Sequence, residues 1–266
     1  MAINRKTTML RNADVIDVLE YPDGRYGAPG MPRVKKKKPT KEQMIQVNLL
    51  NKSRVCRLKM MSYLNYGDFF VTWTYKKCER PPNMKTALTH FQKAMRPIRK
   101  YYSQYKYECF WFRNIECGTK GAWHIHLVIK NIAGAESVIR KAWTHGGTYL
   151  VEIRQSELFD DDFTKLANYM TKNENTIEYK QDGTPAKSKI AEANYNSSRN
   201  MPLPEPVKDQ LKRWKKEVKP KKGYYIINLY EGENPATHLP YRRYTMIRIR
   251  GDDEDVYCEH IFGDIA

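Results

Sequence analysis

Two histidines one residue apart, His124 and His126, sit inside the run Trp123-His-Ile-His-Leu-Val-Ile129. Apolar residues alternate with them. In a β-strand, residues i and i+2 point to the same face. One face of this strand is therefore apolar, and the other presents two imidazoles side by side. A pair of this kind can hold one divalent ion. Glu116 lies just upstream, and Gly118 and Gly121 separate it from the histidines. If residues 116–124 form a hairpin, Glu116 reaches the histidine face and completes a His₂-carboxylate set. Such a set keeps positions open for a phosphate oxygen.

A second element carries a nucleophile. Residues 160–173 read as a helix with Phe163, Leu166, Ala167 and Met170 as its apolar stripe and Asp160–Asp162 at its N-terminus. Tyr169 and Lys172 lie off that stripe, neighbours at i, i+3 spacing. A tyrosine hydroxyl can attack phosphorus. Its ordinary pKa near 10 means that it needs help from a metal, a lysine or water. Lys172 is the candidate helper.

The elements that must position these residues follow a regular order. Phe69-Phe-Val-Thr-Trp-Thr-Tyr75 predicts a strand. Asn83 caps a helix whose apolar residues run from Met84 to Ile98, with Pro97 near its end. Residues 107–116 and 123–130 predict a strand pair. A helix over 134–145 follows, with Gly146 as its C-cap, and then a strand over 148–154. The result is β-α-β-β-α-β. This predicts an α+β, ferredoxin-like or RRM-like antiparallel sheet with helices on one face and an open face. The open face carries the histidines and suits single-stranded nucleic acid. Trp111 and Arg113, on the face opposite Glu116, read as packing residues.

The flanks are less regular. Residues 1–60 read as a basic, extended arm containing the run Lys35-Lys36-Lys37-Lys38 and a short helix at 41–50. Residues 61–205 form the principal domain. Residues 206–266 form an extension, with a basic helix at 205–218 and two strands, 224–230 and 244–250.

Composition narrows the partner. The chain has 266 residues and a net charge of +17, which points to a polyanion, nucleic acid first. No apolar run suits a membrane span or a signal-peptide core. Five cysteines without paired spacing argue against a disulfide framework and fit a reducing, cytoplasmic setting. No Walker-type phosphate loop occurs, so an intrinsic helicase is not expected.

The strand at 69–75, the block from Glu116 to His126 and Tyr169-Met-Thr-Lys172 together resemble the HUH endonucleases, and among them the rolling-circle replication initiators of plasmids, phages and integrative elements. Ala142-Trp-Thr-His-Gly146 and Ser197-Ser-Arg-Asn200 are similar to accessory signatures of bacterial and phage members. The resemblance covers residues 66–205. It implies a nickase that cuts one DNA strand at an origin, forms a 5′-phosphotyrosine link and releases a 3′-OH. It implies Mg²⁺ or Mn²⁺ on His124, His126 and Glu116, with Tyr169 as nucleophile and Lys172 as helper. Only one tyrosine stands on the helix, so Tyr179 or a second subunit would serve strand transfer at termination. Lys165, Arg199, Asn200 and Lys35–Lys38 are the expected DNA contacts. The expected partners are single-stranded or hairpin DNA and a host helicase; oligomeric state is not legible. The competing readings are a conjugative relaxase or transposase, a metal-dependent nuclease that uses water, and an RRM-like binding module without catalysis.

Overall fold

The computed structural model describes residues 2–23, 38–154, 162–179, 182–186, 188–234 and 239–249. Two compact units emerge, one from residues 44–202 and one from residues 1–43 with 203–266. Elements are numbered along the chain.

The central unit holds β3 (Phe69–Thr74), α2 (Met84–Gln104), β4 (Trp111–Gly118), β5 (Trp123–Ile129), α3 (Ala135–Ala142), β6 (Thr148–Glu152) and α4 (Thr164–Thr171). The expected β-α-β-β-α-β order is present. The strands lie in the order β6-β3-β5-β4, all antiparallel. A fifth strand, β9 (Ile190–Ser197), adds beyond β4. Sequence reasoning treated this polar stretch as irregular, because only its pairing with β4 makes it a strand.

Alternation explains the layering. Val71, Trp73, Ile115, Ile125, Leu127 and Ile129 face one side and pack with Phe91, Met95, Ile98 and Ile139 of the two helices. Burying each such side chain contributes about 1.5–3 kcal/mol. Asn83 caps α2 by accepting from the Thr86 amide at 3.0 Å. The helix passes through Pro97 to Gln104, with Ile98 and Tyr102 buried on its core side. Trp111 and Arg113 pack on this side too: Trp111 meets Phe91 edge-on, and the Arg113 guanidinium lies 5.1 Å from the Phe91 ring.

Gly146 has a different role from the expected cap. The helix ends at Ala142, with Trp143 as its C-cap. A Cβ at Gly146 would lie 2.0 Å from the Thr74 carbonyl oxygen. Glycine is needed there because two backbones meet.

The histidine face is partly covered. α1 (Lys41–Tyr63) is longer than the expected helix at 41–50. It opens on a capping box, with the Thr40 amide donating to Gln43 and the Gln43 amide to Thr40. Lys59 Nζ donates to Ser197 Oγ on β9. Phe112 and Val128, on the same face as the histidines but toward the opposite end, are fully buried.

The other unit is built from the ends of the chain. β1 (Ile3–Leu10), β2 (Val15–Pro22), β10 (Val207–Leu211), β11 (Tyr224–Glu233) and β12 (Pro240–Arg248) form one antiparallel sheet, ordered β10-β1-β2-β12-β11. Two expectations change here. Residues 3–22 are a strand pair, not an extended arm. Residues 207–211 are a strand, not part of a helix, because they pair with β1 from Ile3↔Leu211 to Thr7↔Val207. Local composition cannot report pairing across some two hundred residues. The strands expected at 224–230 and 244–250 are present as β11 and β12. No helix among the described residues is long and apolar enough to cross a membrane.

Candidate active site

Three neighbouring strands build the site by register alone. Glu116 on β4 faces His124 on β5, and Asn114 faces His126. On the other side of β5, Thr72 of β3 faces His126 and Thr74 faces His124. Directly paired residues share a face, so these six side chains form two rows across the sheet. The β4–β5 turn is tight: the Gly118 amide donates to the Ala122 carbonyl at 2.8 Å, and Gly121 takes φ +72°. The expected hairpin is present.

His126 is the hub. It is 6% exposed. Its Nε2 lies 3.1 Å from the Tyr169 hydroxyl and 3.7 Å from Glu116 Oε2. Its Nδ1 lies 3.1 Å from Thr72 Oγ1. Burial and the Glu116 charge push the Tyr169 hydroxyl up to about 12. The phenol therefore keeps its proton at neutral pH and donates to Nε2. A neutral imidazole then carries its own proton on Nδ1, donating to Thr72. Thr72 thus favours the tautomer whose Nε2 lone pair faces the site. Phe70 stacks on the His126 ring at 5.9 Å and meets Tyr169 edge-on.

His124 stands beside His126, with ring centroids 6.3 Å apart. Burial and His126 lower its pKa, so the ring is neutral and its lone pair is available at neutral pH. Among the described residues no three His, Cys, Asp or Glu side chains are already gathered at metal-binding geometry. The donor chemistry still fits a divalent ion: two imidazoles and one carboxylate share one face, and a single Nε2 lone pair serves either the Tyr169 hydroxyl or an ion.

The tyrosine helix is fixed at both ends. At its start, Phe163 takes the left-handed conformation, φ +58°. The Asp162 carboxylate accepts from the Thr164 amide and from Arg57 Nε of α1. Midway, Ser53 of α1 bonds Asn168. At its end, Asn114 Nδ2 donates to the Lys172 carbonyl at 3.1 Å and to Glu116 Oε1 at 2.7 Å. Asn114 is fully buried, and it ties the carboxylate to the tyrosine helix. Leu166, Ala167 and Met170 are buried while Tyr169 is 37% exposed, as the stripe predicts. Lys172 Nζ lies 5.6 Å from the centroid of the Tyr169 ring.

Tyr169, Lys172, His124, His126 and Glu116 are therefore brought together. Lys165 is exposed on α4, one turn before Tyr169. Arg199 and Asn200 are not at this site. They are exposed and line a groove with Arg99, Ser103, Lys106 and Trp111. Trp111 is five residues along β4 from Glu116, about 17 Å at the rise of a strand. Lys38 is exposed just before α1, and Lys35, Lys36 and Lys37 lie outside the described residues, as do Asp160 and Asp161. Tyr179 has its backbone in the short strand β7 (Glu178–Tyr179), paired with β8 (Pro185–Ala186); its side chain lies outside the described residues.

Sequence reasoning missed Thr72 and Asn114. Both signals were available: each is the polar member of an alternating strand, and Asn114 is two residues from Glu116 on the same face.

No curated protein and no solved structure matches this chain. Residues 68–174, from the start of β3 to just past the tyrosine helix, match the model of a family described as replication-associated protein, of the ORF2 type. The part of the chain that builds the site is thus similar to replication-associated proteins.

Proposed function

We propose that this protein is a metal-dependent, site-specific endonuclease for single-stranded DNA that initiates rolling-circle replication through a 5′-phosphotyrosine intermediate. One observation carries the reading: the Tyr169 hydroxyl approaches His126 Nε2 at 3.1 Å, beside the Glu116 carboxylate. A nucleophile and a set of metal donors converge on one buried imidazole. A binding module would need neither.

His124, His126 and Glu116 would hold Mg²⁺ or Mn²⁺. Such an ion supplies Lewis-acid polarisation of the phosphate and offsets the charge that develops there. Tyr169 Oη bonds to phosphorus while the bond from phosphorus to the 3′ oxygen breaks. The phenol proton leaves the hydroxyl, and the departing 3′ oxygen takes up a proton to become a 3′-OH. Lys172, close to the Tyr169 ring, favours the phenolate as its proton is lost. Lys165, Arg199, Asn200 and the Lys35–Lys38 run would bind phosphates along the strand, giving an affinity that falls steeply with salt. The substrate is single-stranded or hairpin DNA at an origin, with a host helicase to unwind it.

The test uses a single-stranded oligonucleotide from the encoding element, labelled on the fragment 3′ of the nick. Wild type with Mn²⁺ should give a denaturation-resistant labelled species and a free 3′-OH on the other fragment. Tyr169→Phe should give neither and still bind, and EDTA should abolish both in wild type. Nicking without any adduct would mean that water is the nucleophile and would overturn the reading.

A further inference from the structure

The sheet made from the two ends of the chain has two unlike faces. One packs on the segment from Lys212 to Gly223: Val218 joins the cluster of Ile16, Val18, Tyr224, Tyr244 and Met246. On that face each described carboxylate of β2 and β10 meets an arginine. Arg5 Nε bonds Asp209 at 2.9 Å, and Arg242 bonds Glu20 at 2.7 Å.

The other face shows a continuous row across all five strands. Lys208 of β10 pairs with Lys6 of β1, Lys6 with Leu19 of β2, Leu19 with Arg243 of β12, and Arg243 with Tyr230 of β11. At the spacing of neighbouring strands the row is about 19 Å long. Asn4, Gln210, Tyr21 and Tyr241 flank it. Lys6 Nζ lies 5.5 Å from the Tyr21 ring, Arg243 lies 5.4 Å from the Tyr241 ring, and the Tyr230 and Tyr241 rings are 5.9 Å apart. Both tyrosine rings lie close over Gly232, where a Cβ would meet them at 3.0–3.1 Å. The acids on this face stand at its ends: Asp17 is buried against Thr245, and Asp23 bonds Asn4 just past β2.

The Lys6–Lys208 pair is the telling feature. Like charges directly opposite each other on paired strands are destabilising. One register step away, on the covered face, the same two strands place Arg5 opposite Asp209. Edge lysines protect a sheet from unwanted pairing, which explains Lys208 on the edge but not Lys6 on the strand inside it. An anion bridging the two lysines removes the cost. Flat antiparallel faces with exposed aromatics and interleaved cations suit stacked bases and their phosphates.

We propose that this face is a second binding surface for single-stranded DNA, with Lys6, Lys208 and Arg243 on phosphates and Tyr21, Tyr230 and Tyr241 under bases. The proposal rests on the nucleic-acid part of the functional reading and not on its cleavage chemistry. It gives the protein a grip on the strand that does not depend on the reacting phosphate.

The test measures binding of a labelled thymidine homopolymer by fluorescence polarisation across a range of salt, in the full-length Tyr169→Phe protein, so that cleavage does not intervene. Lys6→Gln with Lys208→Gln should weaken binding about five- to tenfold and lower the salt slope by about 1.4, or 0.7 per lost phosphate contact. Its melting temperature should equal or exceed that of the parent, since the like-charge pair is gone. Tyr230→Ala with Tyr241→Ala should weaken binding about fivefold or more even at high salt. A charge-matched control, Lys93→Gln with Lys100→Gln on exposed positions of α2, should change little. Unchanged affinity and slope in the first variant would overturn the proposal. So would an equal loss in the control, which would signal a diffuse field. So would a loss confined to phosphatidylserine vesicles, which would signal a lipid surface. Absence of an adduct in the cleavage assay would leave these binding results standing on their own.

Discussion

The two sheets of this protein each carry a polar network, and the networks differ in how completely they are closed. In the sheet built from the chain ends, Glu20 and Arg242 are both almost fully buried. Arg242 bonds Glu20 and the Lys215 carbonyl and lies 4.5 Å from the Trp214 ring, while the Tyr244 hydroxyl donates to the other Glu20 oxygen. Burial and Glu20 push the Tyr244 hydroxyl well above its ordinary range, which keeps it a donor. Every strong group points at another protein group, so the network holds structure. In the sheet of the central unit, His126, Glu116 and Tyr169 also meet, but the nucleophilic oxygen is on a partly exposed side chain. The Asn114 carbonyl oxygen is buried without a hydrogen-bond partner among the described residues. A network left incomplete beside an exposed nucleophile is arranged to receive something.

Three substitutions sharpen this contrast, and the largest effect belongs to the closed network. Glu20→Gln leaves the Arg242 charge buried without its counter-ion and should destabilise the end-built sheet by about 3–5 kcal/mol. Replacing Glu20 and Arg242 together by Leu and Met should cost much less. Urea unfolding of both variants tests this; a loss under about 1 kcal/mol for Glu20→Gln would show that the network is not structural.

The open network should respond in function before stability. Thr72→Val removes the partner of His126 Nδ1 and should cost about 1 kcal/mol of stability. Mn²⁺ binding, read by calorimetry, should weaken about tenfold or more as the tautomer and ring orientation are released. Unchanged Mn²⁺ affinity would remove Thr72 from the site's design.

The smallest effect lies on the helical face of the same unit. His90 and His145 stack with centroids 3.9 Å apart, and His145 bonds Glu79. Burial, followed by His145 and Lys93, lowers the pKa of His90 from its ordinary 6.5. The unfolded chain therefore takes up this proton more readily than the native one. The contribution is complete above about pH 6.5 and is lost as pH falls below it. His90→Gln should show a smaller drop in melting temperature between about pH 7.5 and pH 5.5 than wild type. An identical drop would mean that the stack does not titrate.

Legibility followed the range of the interactions. His124, His126, Glu116 and the hairpin between them were readable because strand alternation and a glycine turn act over a few residues. Tyr169 was readable because helical periodicity sets it off the stripe of Leu166, Ala167 and Met170. The pairing of Ile190–Ser197 with β4 and of Val207–Leu211 with β1 was not, since those segments become strands only through distant partners. Lys212–Gly223 illustrates the same point: Trp214 and Val218 suggested a helix face, but they pack under a sheet whose other strands come from residues 3–22. Arg199 and Asn200 were placed with the DNA contacts from their signature alone, and the fold sets them at the opposite end of β4 from Glu116.

The central claim is that Tyr169 becomes covalently attached to DNA, and peptide mapping of the adduct tests it most directly. Trypsin cutting after Lys165 and Lys172 releases Leu166–Lys172, whose single tyrosine is Tyr169. After reaction with a single-stranded oligonucleotide and nuclease trimming, this peptide should carry a nucleotide mass through its 5′ phosphate, with Asn173–Lys180, which holds Tyr179, unmodified. A nucleotide on Asn173–Lys180 alone, or on neither peptide in a sample that has been nicked, would contradict the account.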